Sequence, residues 1–214
     1  MLSPGDRFRL LRSVLRLANR LDDPEDPWQC VECDGPVELL GTGSVRELGW
    51  YFEGESTVPV STFEEVCSFL LGCTYVRDDE LFRVPDFWQH PLTFEQIRRG
   101  DCEDHALWAW RRLRELGYRA HLVTGSCSRD EVDPGAHAWV IFHGEGGLYL
   151  LEPTTKSREA MVRPLDLMRQ LYQPHFSVDE SLKLFLYGGW YVAQLSRRRA
   201  RGLPGPPAGL RSAG

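Results

Sequence analysis

An amphipathic helix followed by three short strands is the pattern that most restricts the fold of this chain. From residue 102 to 116 apolar side chains recur at helical spacing, and Gly117 marks the C-terminal boundary. Arg111, Arg112 and Arg114 take the outward positions of this predicted helix. Short apolar segments bounded by turn residues predict strands at 118–124, 136–142 and 148–151, the last two joined by a four-residue hairpin loop.

Length and composition describe a globular chain rather than a disordered, fibrous or membrane-spanning one. The 214 residues are 42% apolar and 26% charged, which is enough to bury a hydrophobic core. The longest stretch without a charge, residues 184–196, holds 13 residues, whereas a membrane span needs about 20. The net charge of −6 argues against a protein built to hold nucleic acid, and we expect no membrane partner.

The N-terminal helix, the cysteines and the C-terminal tail indicate the domain organisation and the compartment. Arginines interrupt the amphipathic helix predicted at 6–21, unlike the apolar part of a secretory signal, so we expect a cytoplasmic location. Six irregularly spaced cysteines favour reduced thiols over a disulfide framework. We expect a single domain over 1–200 with an N-terminal helical extension, and a disordered tail at 201–214, which holds three prolines and four glycines.

Cys102 is the candidate nucleophile because it lies in the first turn of the central helix. The unpaired amides and the positive dipole end of a helix lower the pKa of a cysteine placed there. Asp101, Glu103 and Asp104 surround it, and their charges raise the same pKa unless they are turned away, paired or bound to a metal. The two effects oppose each other, so the sequence leaves the net direction open.

His137 and Glu152 are the candidate base and orienting acid for this thiol. Each lies in or just after one of the two hairpin strands. Pairing His143 with Leu148 places Trp139 opposite Glu152, and His137 and Glu152 then become diagonal neighbours on one face, roughly 7 Å apart at the backbone. A slip of one residue would place them on opposite faces.

Four segments resemble the transglutaminase-like cysteine protease superfamily, in particular the bacterial transglutaminase-like cysteine proteinases. They occur in the family order between Cys73 and Thr155. The segments are Asp86-Phe87-Trp88-Gln89-His90-Pro91, Gly100-Asp101-Cys102-Glu103-Asp104, His137-Ala138-Trp139-Val140 and Leu151-Glu152-Pro153-Thr154.

The resemblance implies a papain-like α+β fold, in which a helix carrying the nucleophile packs against an antiparallel sheet. It assigns Cys102, His137 and Glu152 to the catalytic triad. The family usually has aspartate at the third position, and this chain has the longer glutamate, which can accept the same imidazole hydrogen bond. A peptide or protein is the implied substrate.

Family members can also bind calcium through acids next to the cysteine, which makes Asp101, Glu103 and Asp104 candidate ligands. Oxygen-rich sites of this kind suit calcium. In the alternative interpretation, Glu103 and Asp104 only favour the N-terminus of the helix electrostatically. No other cofactor is expected.

A cysteine protease needs hydrogen-bond donors that stabilise the oxyanion of its tetrahedral intermediate, and side chains that line the substrate pocket. The backbone N–H of Cys102 is the expected first donor. Gln96, which lies six residues before Cys102 and also fits a helix-capping position, and Gln89 are alternative second donors. Trp88, His105 and Trp139 are candidate pocket residues.

These residues together predict a cysteine-dependent hydrolase that cleaves peptide or amide bonds through an acyl-enzyme. If an amine replaces water as the acceptor, the same chemistry gives a transglutaminase. The alternative from another class is a non-catalytic module of the same fold that binds a peptide or protein. Neither the substrate nor the oligomeric state can be read from the sequence.

Overall fold

Within the described residues, seven strands form an antiparallel sheet with a long helix against one face. The computed structural model describes residues 20–23, 26–33, 48–128 and 136–193. The predicted tail at 201–214 and nearly all of the predicted helix at 6–21 lie outside the described residues. A helix packed on an antiparallel sheet confirms the expected α+β class.

The strand order of the large sheet is β1-β9-β8-β4-β5-β6-β7, and β2 and β3 form a separate short parallel pair. The order places β4 and β5 at the centre, between the hairpin partner β6 and the later strand β8. The strands are β1 (Cys30–Glu32), β2 (Thr74–Tyr75), β3 (Arg99–Gly100), β4 (Ala120–Cys127), β5 (Ala136–Gly144), β6 (Gly147–Leu151), β7 (Val162–Pro164), β8 (Tyr172–Val178) and β9 (Leu184–Tyr187).

Short helices surround the long one. The first begins after Thr62, whose side chain accepts a hydrogen bond from Glu65 while the Glu65 side chain caps Thr62 in return, and it ends at Gly72. Short 3₁₀ helices cover Leu48–Phe52 and Leu165–Leu167. The α-helices are α1 (Phe63–Leu71), α2 (Asp78–Leu81), α3 (Pro91–Ile97), α4 (Cys102–Glu115) and α5 (Arg158–Met161).

The central helix α4 has the predicted bounds but is covered on more sides than predicted. Its apolar face packs on the sheet, and the indole nitrogen of Trp110 donates to the carbonyl of Ala120 on β4 at 2.9 Å. The expectation that Arg111 and Arg112 point outward is wrong, because both are buried. Arg112 pairs with the buried carboxylate of Glu95, which cannot remain charged in the interior without such a partner.

Residues 164–195 differ most from the sequence interpretation. The sequence from 164 to 172 predicts another helix, and this prediction is wrong: a 3₁₀ turn at Leu165–Leu167 is followed by the start of β8 at Tyr172. The apolar spacing of 176–195 fits neither a strand nor a helix, which leaves its structure open at the level of sequence. This stretch contains the end of β8, all of β9 and a helical segment from residue 188 to the end of the described part at 193. β8 matters for the site because it borders β4.

The two faces of the sheet carry different clusters. Ala138, Val140 and Phe142 of β5 face α4 and the larger core. Trp139 and Ile141, which alternate with them, belong to a smaller cluster on the opposite face. His137 has the same parity as Trp139, and the two rings stack with centroids 6.1 Å apart. Its imidazole is therefore supported by this second cluster.

Candidate active site

Cys102 lies at the N-terminal end of α4, where the helix meets β5. Its side chain is 9% exposed and lines a cavity of about 720 Å³, within the size range of small-ligand sites. The backbone N–H of Ala138 on β5 lies beside the sulfur and acts to lower the pKa of the thiol. Gly100 allows this close packing, since a Cβ there would lie 2.2 Å from a carboxylate oxygen of Asp104.

His137 lies on the wall of the same cavity and is bound to Glu152. The β5–β6 register pairs His143 with Leu148 as expected, but the expected four-residue loop is wrong: Gly144 also pairs with Gly147, which leaves a two-residue turn. The Nε2 of His137 lies 2.8 Å from Oε2 of Glu152, which is fully buried. This bond assigns Nε2 to the acid and leaves Nδ1 as the ring nitrogen available to a thiol.

Glu152 is held at both carboxylate oxygens. The backbone N–H and the hydroxyl of Thr154 donate to Oε1 at 3.2 and 2.6 Å. The hydroxyl of Tyr172 donates to Oε2 at 2.7 Å, beside the bond to His137. Burial alone would raise the pKa of Glu152, but the bonds from His137, Thr154 and Tyr172 outweigh it and lower the pKa to about 2.

Around Cys102 the pKa values are raised, in contrast to the lowered pKa of Glu152. Burial, followed by the nearby charges of Glu103 and Asp101, raises the pKa of the Cys102 thiol. The thiol donates to Oε2 of Glu103 at 3.2 Å. Burial and the neighbouring carboxylates likewise raise the pKa of Glu103. Burial and the neighbouring acids therefore raise the pKa of the Cys102 thiol despite its place at the helix N-terminus, so this position alone does not activate the thiol.

Two acids that the sequence did not single out join this cluster. Asp78, Asp101 and Asp104 each offer a carboxylate oxygen, all within 4.8 Å of one another, and so do Asp78, Asp86 and Glu103. Burial, opposed by a hydrogen bond from the Phe87 backbone, raises the pKa of Asp78 to about 6. Asp86 lies in a segment that the family resemblance marked, but nothing local in the sequence places Asp78 near Cys102.

The glutamines proposed as oxyanion donors are placed elsewhere. The side-chain amide of Gln89 donates to Asp104 and to the carbonyl of Arg99, and its backbone N–H also donates to Asp104. Gln96 lies on an exposed part of α3, whose N-cap is His90. Neither glutamine lines the cavity that contains Cys102.

The three candidate pocket residues are separated. Trp88 lines the cavity together with Cys102 and His137. His105 is buried behind the helix start, where its Nδ1 lies 2.7 Å from the carbonyl of Asp101. Trp139 is buried beneath His137 and supports its ring. Trp88 is therefore the one of the three that reaches the cavity.

Similarity to known proteins is found among solved structures. No protein-family model matches the chain, and no curated protein matches it significantly. The chain is similar in fold to LapG. The Legionella pneumophila LapG structure has 21% sequence identity and a TM-score of 0.45, over 72% of this chain and 84% of that one.

Two other solved structures are similar to this one. LapG in a calcium-bound form matches at 22% identity and a TM-score of 0.42, over 61% of this chain and 71% of that one. A candidate cysteine protease from Cytophaga hutchinsonii matches at 10% identity and a TM-score of 0.39, over 74% and 58% of the two chains.

Proposed function

We propose that this chain is a cysteine-dependent hydrolase of peptide or amide bonds, with Cys102, His137 and Glu152 as its catalytic triad. The observation that carries the proposal is the 2.8 Å bond between His137 and a fully buried, ionised Glu152, on the wall of the cavity that Cys102 also lines. A buried carboxylate bound to one nitrogen of a histidine orients the ring and fixes its tautomer. The open cavity provides space for a peptide.

The first half of the reaction forms an acyl-enzyme. Nδ1 of His137 accepts the proton of the Cys102 thiol, and the sulfur attacks the carbonyl carbon of the substrate. Glu152 stabilises the resulting imidazolium through its bond to Nε2. When the tetrahedral intermediate collapses, the carbon–nitrogen bond breaks, and the proton on Nδ1 passes to the departing amine.

The second half releases the acid. Water gives a proton to Nδ1 and attacks the thioester carbon; the carbon–sulfur bond then breaks, and the proton returns to the sulfur of Cys102. Glu152 remains ionised throughout, consistent with the lowered pKa that its hydrogen bonds confer.

Trp88 is the proposed second donor to the oxyanion, beside the backbone N–H of Cys102. It lines the cavity, and its indole N–H is a donor. Gln89, the sequence alternative, is bound to Asp104 and Arg99. Donors aimed at a developing oxyanion are typically worth about 3 kcal/mol of barrier each.

Calcium fits the acidic cluster. Asp78, Asp86, Asp101 and Glu103 offer only carboxylate oxygens, the ligands that calcium prefers. Asp104 contributes less, because both of its oxygens accept hydrogen bonds from Gln89. Bound at these residues, the ion would supply positive charge beside Cys102 and offset the acids that disfavour a thiolate.

Cleavage of a proteome-derived peptide library, with mass-spectrometric detection of new termini, tests the proposal. In calcium-containing buffer the wild type is expected to produce a restricted set of cleavages that Cys102→Ser and His137→Ala both lose. Cys30→Ser, which changes an exposed cysteine away from the cavity, is the matched control and should cleave normally.

Other outcomes separate the alternatives. A wild type that cleaves nothing, yet retains library peptides on a column, would be the non-catalytic binding module. Incorporation of a labelled primary amine into glutamine-containing peptides without hydrolysis would indicate a transglutaminase. Cleavage that persists in Cys102→Ser would overturn the triad.

A further inference from the structure

Tyr172 lies deep beneath the proposed triad and touches its acid. Its hydroxyl donates to Oε2 of Glu152 at 2.7 Å, and the same oxygen accepts the bond from Nε2 of His137 at 2.8 Å. Two donors from different strands therefore meet on one carboxylate oxygen. The sequence did not indicate this contact, because the segment that ends at Tyr172 was predicted to be helical.

The surroundings hold the phenol ring in place. Tyr172 is fully buried, and its backbone N–H donates to the carbonyl of Met168 at 3.0 Å. Its ring centroid lies 5.1 Å from that of Trp139 and 6.2 Å from that of His137. A ring packed in this way presents its hydroxyl at a fixed point, which a solvent-exposed donor would not do.

The strand between Tyr172 and His137 is locally adapted to this arrangement. On β4, Gly125 pairs with His137, and the register towards β8 shifts between Thr124 and Gly125. A Cβ at Gly125 would lie 2.7 Å from the ring of Trp139. A bulge of this kind redirects side chains relative to a regular ladder.

We propose that Tyr172 is a positioning residue for the proposed hydrolase: its hydroxyl fixes Glu152, so that the carboxylate holds the His137 ring with Nδ1 towards Cys102. The inference rests on the proposed function. Glutamate has one more rotatable bond than the aspartate usual in the family, and thus has more freedom to turn away. Thr154 holds one oxygen of the carboxylate and Tyr172 holds the other.

Tyr172 does not line the cavity and so does not take part in bond making or breaking. Its effect passes through Glu152 to His137. Loss of the hydroxyl would leave Oε2 with one hydrogen bond fewer and allow the carboxylate to rotate about its last torsion. The ring of phenylalanine would preserve the packing against Trp139, which makes Tyr172→Phe a suitable change.

The test measures the alkylation rate of Cys102 by iodoacetamide in the full chain with calcium, located by mass spectrometry. We expect Tyr172→Phe to slow labelling about tenfold, as for loss of a hydrogen bond to a charged group. Tyr187→Phe is the matched control, because it removes another buried hydroxyl from the same sheet, hydrogen-bonded to Ser177 and remote from Glu152. Its rate should equal that of the wild type.

A spectroscopic readout separates positioning from general destabilisation. In ¹⁵N-histidine-labelled protein, the Nε2–H proton of His137 is expected at low field, and Tyr172→Phe should broaden it through faster solvent exchange. In a Glu152→Gln background, Tyr172→Phe should cause no further loss of labelling, since the two residues act through one contact. An equal additional loss there would overturn the proposal.

The two proposals fail in different ways. If His137→Ala labels as fast as the wild type, the proposed function fails. If His137→Ala is slow but Tyr172→Phe labels like the wild type and keeps the low-field proton, only the positioning role is rejected. Should Tyr172→Phe not fold, a nuclear Overhauser effect between the Tyr172 hydroxyl proton and His137 Nε2–H in the wild type decides, and its absence rejects the role.

Discussion

The two ends of the proposed site contain buried carboxylates in opposite electrostatic states. At one end, hydrogen bonds from His137, Thr154 and Tyr172 overcome burial and lower the pKa of Glu152 to about 2. At the other end, burial and the neighbouring carboxylates raise the pKa of Glu103. Both side chains are buried, so the difference lies in what surrounds them: donors in one case and other acids in the other.

Among the residues that the structure describes, this difference separates an end of the site rich in hydrogen-bond donors from an end rich in acids. The Glu152 end has the donors that it needs from β5, β8 and the segment after β6. At the Cys102 end, the nearby Arg77 pairs with Asp79, which is outside the clustered acids. A cation bound among the acids would stabilise their ionised forms, as the hydrogen-bond donors stabilise that of Glu152.

Glu152→Gln should have the largest effect, because it changes the carboxylate that the donors surround. The amide cannot stabilise an imidazolium, and it can hold His137 in the wrong tautomer, so kcat for a cleaved library peptide should fall roughly 10³-fold or more. Steady-state kinetics would measure the loss. A variant that keeps more than a tenth of wild-type kcat would exclude the orienting role of Glu152.

Removal of the proposed oxyanion donor Trp88 should have the second largest effect on kcat. Trp88→Phe keeps an aromatic wall but loses the indole N–H, and we expect kcat to fall about 10²-fold while KM changes little. Gln89→Glu is unsuitable as a comparison because Gln89 binds Asp104. Gln96→Ala, on the exposed face of α3, serves as the control and should be neutral.

Calcium should raise the thermal stability of the protein by binding at the acidic end of the site. At a calcium concentration about 100 times Kd, the melting temperature of the wild type should rise by roughly 5–10 °C. Asp78→Asn should lose most of that increase, whereas Asp166→Asn, which changes an exposed acid elsewhere, should retain it. Differential scanning calorimetry with calcium and with EGTA measures both, and equal increases in the two variants would remove Asp78 from the site.

The smallest expected effect is the pH dependence of stability without calcium. The pKa of Glu152 is lowered to about 2, so its contribution is complete above its ordinary value of 4.5 and is lost as the pH falls towards 2. The pKa of Asp78 is raised to about 6, so its contribution is present below its ordinary value of 3.8 and is lost as the pH rises through 6.

Urea unfolding at several pH values checks both signs. Above pH 6 in EGTA, Asp78→Asn should be slightly more stable than the wild type, because it removes an unfavourable buried charge. Glu152→Gln should flatten the acid limb of the stability curve. A wild type whose stability rises steadily from pH 4 to pH 7 without calcium would contradict the assignment for Asp78.

Local patterns predicted the part of the site that depends on one hairpin. The turn between β5 and β6 sets the register, and the register places His137 and Glu152 on one face, so this pair followed from alternation alone. The start of α4 at Cys102 followed from helical spacing, and its end followed from Gly117.

The remaining features depend on contacts between distant segments. Tyr172 contacts Glu152 from the start of β8. The apolar spacing between Pro164 and Tyr172 predicted a helix there instead. Asp78 approaches Cys102 from a short helix that no spacing rule links to α4. Arg111 was predicted to be solvent-exposed because charged residues usually are, and its burial depends on partners almost 60 positions earlier.

Those partners have a consequence for any shortened version of this protein. Arg111 donates to the backbone carbonyls of Tyr51, Glu53 and Gly54, so residues 51–54 satisfy a guanidinium on the helix that carries the sulfur. Truncation beyond this segment would leave a buried cation without acceptors, at a typical cost of about 3–5 kcal/mol. The smallest fragment that keeps Cys102 in place therefore begins well upstream of the family-like motifs, before residue 51.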